Sequence, residues 1–386
     1  MKPVLLLACF VLGCLLMATY SFRASRMGAA EFTVDARQDV IQSVEQSPFG
    51  VTREGQAVSL FTCKNKHGLT LKLMDWGATV VALETPDRDG RLANVVLTCR
   101  DLAGFQDCTM YFNSTIGRYA NRIAKGQFAL NGNSFQLATN NDPNHLHGGD
   151  RGFDKRLWKA TPIQRDDEVG VQFNYRSEDG EEGYPGNVEV QVAYILNNNN
   201  ELVIEYHAQT DRATPINLTN HNYWNLAGKG LILDHLLQLH ANRYLPVDET
   251  SIPTGALAEV AGTPFDFTQP KRIGAQIEEL TNEPQGYDHC YVINGEDGRL
   301  RLAAHVVDPS SGRAMSIWTT EPGIQFYSGN YLNGEVESAG YAQYSGFCLE
   351  TQRFPDSPNR PAFPNAVLQP GDRYFHKTVH RFDVER

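Results

Sequence analysis

Glu350 closes the apolar run GFCLE (Gly346–Glu350) and stands directly ahead of TQRFPDSPNRPAF, a stretch broken by prolines. A carboxylate so placed is either the ion-paired end of a strand or a base held at the mouth of a pocket. Other segments gather polar and aromatic side chains in the same way. They are IGRYANRIAKGQF (Ile116–Phe128) with Asn121 and Arg122, NHLHGGDRGFDKRLW (Asn144–Trp158) with His145 and His147, INLTNHNYWNLAG (Ile216–Gly228) with His221 and Tyr223, GYDHCYVI (Gly286–Ile293) with Asp288, and EPGIQFYSGNYL (Glu321–Leu332) with Gln325. Each taken alone has a structural explanation, since buried polar side chains usually exist to satisfy other polar groups. Taken together they have the chemistry a sugar requires: bidentate donors and acceptors for adjacent hydroxyls, and flat aromatic faces for the C–H surface.

Other chemistries have less support. There is no G-x-S-x-G nucleophile elbow and no G-x-x-x-x-G-K phosphate loop. His145, His147 and His221 include an H-x-H spacing that can bind zinc, but no spaced cysteine or carboxylate accompanies it. Glycoside hydrolysis by two carboxylates stays open, with Asp288 facing Glu350. So does a non-catalytic carbohydrate-binding module. The formal net charge of −11, without a basic block, argues against nucleic acid as a partner.

The elements that must carry these residues are strands. GVQFNYRSE (Gly170–Glu178), NVEVQVAYIL (Asn187–Leu196) and ELVIEYHAQT (Glu201–Thr210) alternate with period two and are separated by the turn formers EDGEEGYPG and NNNN. Hairpins are expected at Asn131-Gly132 and around Asp308–Gly312, and only GAQIEEL (Gly274–Leu280) reads as helical. So many strands with so little helix imply an all-β chain folded as an antiparallel sandwich or barrel, in one large domain over 49–386. The cysteines beyond the leader, Cys63, Cys99, Cys108, Cys290 and Cys348, are odd in number and widely spaced, and are expected to be buried thiols.

The first thirty residues differ from the rest. Lys2, the apolar VLLLACFVLGCLLMA (Val4–Ala18) and the small residues that follow read as an export signal, shorter than the ~20 residues a bilayer span needs. Residues 1–30 are thus expected to be a cleaved signal, with an uncleaved anchor as the alternative, and 31–48 a polar tether. The mature protein would then be periplasmic or secreted, without stable membrane insertion.

The ordered segments GRYANRIAKGQF, LHGGDRGFDKRLW, DGEEGYPGN, NLTNHNYWNL, PVDETSIPTG, PFDF, GYDHCYV, PGIQFYSGNYL, FCLETQRFPDSPN and PGDRY resemble the aldose 1-epimerases, or galactose mutarotases, from about Phe49 to Phe382. The resemblance implies a large antiparallel β-sandwich of the supersandwich type, a cleft for a free aldohexose such as galactose or glucose, and no cofactor or metal. It further implies Glu350 and His221 as catalytic residues, with Asn121, Arg122, His147, Tyr223, Asp288 and Gln325 binding the sugar. Such a reaction needs a proton taken from the C1 hydroxyl and another delivered to the ring oxygen. A carboxylate is a natural base for the first step, and an imidazolium with a pKa of about 6.5 a natural donor for the second.

Overall fold

The period-two segments fold as strands, and their apolar residues meet in one core. The computed structural model describes residues 42–385. Its largest sheet has nine strands, in the order 159–164, 168–177, 188–197, 201–210, 374–384, 313–319, 301–307, 236–239 and 271–272. The three strands expected from alternation lie side by side in it as Glu168–Ser177, Val188–Asn197 and Glu201–Thr210, all paired antiparallel. A five-stranded meander runs from Ser43 to Asn94. A second five-stranded sheet has the order 258–259, 243–244, 288–292, 323–327 and 348–352.

One face of the large sheet packs on both smaller ones. Val171, Val192 and Ile204 of the large sheet share a continuous core with Phe61, Leu71 and Leu73 of the meander and with Tyr291, Ile324 and Phe326 of the second small sheet. This is the antiparallel sandwich, and the described residues, 42–385, fall in one compact unit. Asn131 (φ 51°) and Gly132 (φ 78°) close the hairpin between Gln127–Leu130 and Asn133–Gln136, both in the left-handed region that such a two-residue turn demands. The Asp308 carboxylate accepts from the backbone N–H groups of Ser310 and Ser311 and caps the expected turn between Arg301–Val307 and Arg313–Thr319.

Some expectations need correction. The segment expected as a tether to residue 48 is already a strand from Ser43, pairing through Ser43↔Lys64 to Val51↔Ala57. Its polar composition is that of an edge strand, and Pro48 is tolerated there beside a register shift between Pro48 and Gly50. GAQIEEL is not an α-helix but part of a 3₁₀ stretch, Ile273–Glu279, interrupted at Gln276 (φ −133°). The α-helix that does form, Leu102–Asp107, begins at Asp101, whose carboxylate accepts from Gly104 N at 2.9 Å. Cys63, Cys99, Cys108, Cys290 and Cys348 are all buried free thiols, as expected. The signal-like segment lies outside the described residues, and among those described no helix is long and apolar enough to cross a membrane.

Candidate active site

The second small sheet supplies one wall of a cavity of about 270 Å³. Strand Cys348–Gln352 pairs with Gly323–Tyr327, which pairs with Asp288–Val292, so Glu350 lies opposite Gln325 and Asp288 lies opposite Tyr327. A strand fixes a side chain more rigidly than a loop does, which explains why the acid sits at the end of an apolar run. The opposite wall comes from loops tied together by backbone bonds. Arg122–Ile123 pairs with His145–Leu146, and His147 N donates to Asn121 O at 3.1 Å. His221 is clamped by its own N–H donating to Ser114 O and by Asn113 N donating to its carbonyl, both at 3.0 Å. Asn121 (φ 64°) and His147 (φ 49°) are held in left-handed conformations, a strain that persists where the surroundings over-determine it.

Asn121, Arg122, His147, His221, Tyr223, Asp288 and Glu350 all line this cavity. Gln325 does not. It stands behind the lining and donates from Nε2 to Asp288 Oδ1 at 2.7 Å. Arg122 places Nη1 3.7 Å from Asp288 Oδ2 and donates from Nε to Asn141 Oδ1 at 3.0 Å. Asp288 is thereby committed to two neighbours, an arrangement suited to accepting hydroxyl hydrogen bonds. His145 turns away altogether, its ring nitrogens meeting Ala138 O at 2.8 Å and the Tyr184 hydroxyl at 2.7 Å.

Sequence reasoning missed Tyr111, Asn140, Asn141, Tyr327 and Tyr331, which also line the cavity. Tyr111 (φ 57°) sets its ring 4.8 Å from that of His147 and 5.9 Å from that of His221. The available signal was proximity: Tyr327 and Tyr331 flank the same loop as Gln325, and Asn140-Asn141 precede the His145 cluster by a few residues.

The electrostatics follow from burial. Glu350 Oε1 lies 3.7 Å from His221 Nε2, with both side chains almost wholly buried. Loss of water pushes the Glu350 carboxyl well above its usual range; the charge of Asp288 adds to this and that of Arg122 opposes it. The same loss of water lowers His221 to about 4, against the opposing pull of its own backbone carbonyl and of Asp288. The expected imidazolium of ordinary pKa is therefore corrected: burial disfavours the charged form of both groups, which favours a neutral imidazole beside a protonated carboxyl. Such a pair titrates as a unit. His147 is also held well below its usual pKa, first by burial, with the charge of Arg122 acting in the same direction.

His147, His221 and Glu350 bring ligand-type atoms within 4.8 Å of one another. The donor set is nevertheless poor for a metal. His147 Nδ1 accepts from Asn121 N–H at 3.1 Å, so the ring proton sits on Nε2, where a metal would need a lone pair. Nε2–H is instead a donor to a hydroxyl.

Residues 59–381 match the family model Aldose 1-epimerase. The galactose mutarotase of Homo sapiens is 46% identical over 348 residues, covering 89% of this chain and 99% of that protein. The aldose 1-epimerase of Escherichia coli (strain K12) is 38% identical over 340 residues, covering 86% and 97%. Among solved structures, galactose 1-epimerase from Lactobacillus acidophilus NCFM superposes with a TM-score of 0.79 at 29% identity, covering 90% of this chain and all of that one. On the match of the family model to most of its length and on these identities, the chain belongs to the aldose 1-epimerase family.

Proposed function

We propose that this enzyme interconverts the α and β anomers of free aldohexoses such as galactose and glucose, with Glu350 taking the proton of the C1 hydroxyl and His221 delivering one to the ring oxygen. The observation that carries this assignment is the adjacency of Glu350 Oε1 and His221 Nε2, 3.7 Å apart in the lining of one cavity. Sugar hydroxyls entering the cavity replace some of the solvation that burial removed. They favour passage of the shared proton from Glu350 to His221, giving a carboxylate and an imidazolium. The carboxylate then takes the O1 proton as the imidazolium protonates the ring oxygen, and the C1–ring oxygen bond breaks to leave an open-chain aldehyde. The pair is now a carboxylic acid and a neutral imidazole, the form that burial favours. Rotation about C1–C2 and the reverse transfers close the ring on the other face, so no proton is consumed and no second reactant is needed.

Arg122, Asp288, Asn121 and the Nε2–H of His147 offer donors and acceptors for the remaining hydroxyls, and Tyr223 offers an apolar face. Among the described residues lining the cavity, Arg122 is the one arginine or lysine, and it is already paired with Asp288. That favours an unphosphorylated sugar. Polarimetry on fresh α-galactose, α-glucose and their 6-phosphates tests the proposal: the free sugars should mutarotate faster than their spontaneous rates, and a preference for the phosphates would overturn the substrate class. We further propose that the leader directs export, with the mature chain beginning between about Ala18 and Glu31. Mass spectrometry of the native protein checks this, and an intact Met1 would refute it.

A further inference from the structure

Two oxygen atoms in the cavity wall are buried from solvent and have no hydrogen-bond partner: Oε2 of Glu350 and Oε1 of Gln325. They belong to residues directly opposite one another in adjacent antiparallel strands. Side chains so paired leave the sheet on the same face with Cβ atoms about 5 Å apart. Two lone-pair oxygens buried on such paired side chains each forfeit their hydration, and a proton shared between them would restore a hydrogen bond to both.

The bonds on the far side of Gln325 decide who gives that proton. Arg122 Nη1 lies 3.7 Å from Asp288 Oδ2, a cation beside one oxygen of that side chain. Asp288 Oδ1 takes its hydrogen bond from Gln325 Nε2 at 2.7 Å. An amide that spends its nitrogen on Asp288 presents its oxygen at the other end, and an amide oxygen has no proton to give. The reversed amide would set two acceptors against each other at that same short separation. The donor is therefore Glu350. We propose that Gln325, oriented by its bond to Asp288, is a positioning residue that accepts the Oε2–H of Glu350 in the resting pair, a bond given up when the proton passes to His221, and so sets the pH at which the catalytic pair gives up that proton. This inference rests on the reading of Glu350 and His221 as that pair.

The other groups around Glu350 do not replace this contact. His221 faces Oε1 rather than Oε2. Burial raises Cys348, Cys290 and Tyr223, which keeps each of them a neutral proton carrier. Asp288 and Arg122 act on Glu350 through their charges, with opposite signs. An acceptor for the acid form works in the same direction as burial, holding the proton on Glu350 to higher pH.

Infrared difference spectroscopy of the whole enzyme against Glu350→Gln reads the proton directly, whatever the turnover. A protonated-carboxyl band belonging to Glu350 is expected at neutral pH in the empty enzyme. In Gln325→Leu, which removes the acceptor, the band should move to higher frequency. The basic limb of the kcat/KM profile should move to lower pH by on the order of tenfold in proton concentration, the worth of one buried hydrogen bond, while the acid limb stays in place. Gln325→Asn keeps an amide but shortens its reach, and should shift both readouts in the same direction if the leucine variant does not fold. Absence of the band in the wild type, or a band and limb unmoved in a folded variant, would overturn the proposal. Wild-type turnover in Glu350→Gln would instead sink the catalytic assignment on which it rests.

Discussion

Glu350→Gln pulls catalysis and stability in opposite directions. Glutamine keeps the size and reach of the side chain but can neither take a proton nor ionise. A positioned proton-transfer group contributes about 10²- to 10⁴-fold to rate, which at 1.36 kcal/mol per decade is roughly 3 to 5 kcal/mol of barrier. With Glu350 only 3% exposed, bulk water is poorly placed to stand in as base, so kcat should fall by that factor. KM should change little, because Arg122, Asp288 and His147 still line the cavity. Stability should respond in the other sense. The folded-state pKa of Glu350 is raised above its unfolded value of about 4.5, so the folded protein binds this proton more tightly than the unfolded chain does. That contribution is fully present below about pH 4.5 and is lost as pH rises through the folded value, where a charge must be held in the wall. The glutamine variant escapes this loss, and its Tm should equal or exceed that of the wild type on the alkaline side, by a margin that grows with pH. Polarimetry on fresh α-galactose and thermal melts across pH test both halves. Wild-type-like turnover would refute the base, and a variant less stable than wild type at alkaline pH would refute the burial argument.

Arg122→Lys loses both the Nε bond to Asn141 and the fork facing Asp288, so KM should rise several-fold in steady-state polarimetry while the pH profile keeps its shape. Asp288→Asn should also raise KM; with its charge gone, Glu350 releases its proton more easily and the basic limb moves to lower pH. Outright loss of a limb in that variant would point instead to the two-carboxylate mechanism. In the wild type, kcat/KM should fall on the acid side near pH 4, where His221 takes up a second proton for the pair. Away from the cavity, burial raises Glu321 to about 7 against the opposing charge of Arg353, whose Nε lies 3.2 Å from Oε2. This raised pKa stabilises the folded state below about pH 4.5, and the contribution is lost as pH rises through about 7, so Glu321→Gln should flatten the fall in Tm between mildly acid and alkaline pH.

The strands were legible wherever alternation ran long enough to show. Val188–Asn197 and Glu201–Thr210 each run for ten residues, and their partnering is the simplest that a short turn permits. Elements that depend on tertiary contacts were not legible. Ser43–Val51 has an edge strand's polar face and a proline, and reads as loop until its pairing is seen. Leu102–Asp107 is too short to show a helical period. In the site, residues inside conspicuous polar clusters were found, and Tyr111 was not, because its role comes from a backbone turn that brings its ring against two histidines distant in sequence.

Protonation states were the part least accessible to sequence, for a physical reason. A histidine and a glutamate taken from a sequence carry their solution pKa values, which at neutral pH give a carboxylate and a mostly neutral imidazole with no proton to share between them. Closing both inside the wall penalises the charged form of each, raising one and lowering the other. Both shifts favour a single proton on the pair, with the carboxyl as its resting place. Mutarotation asks for that state, since a pair with no proton cannot protonate the ring oxygen and a pair with two cannot accept the C1 proton. If Glu350 and His221 are the catalytic pair proposed, the depth of the wall, reached through strand Cys348–Gln352 on one side and the His221 loop on the other, is as much a part of the catalyst as the two side chains themselves.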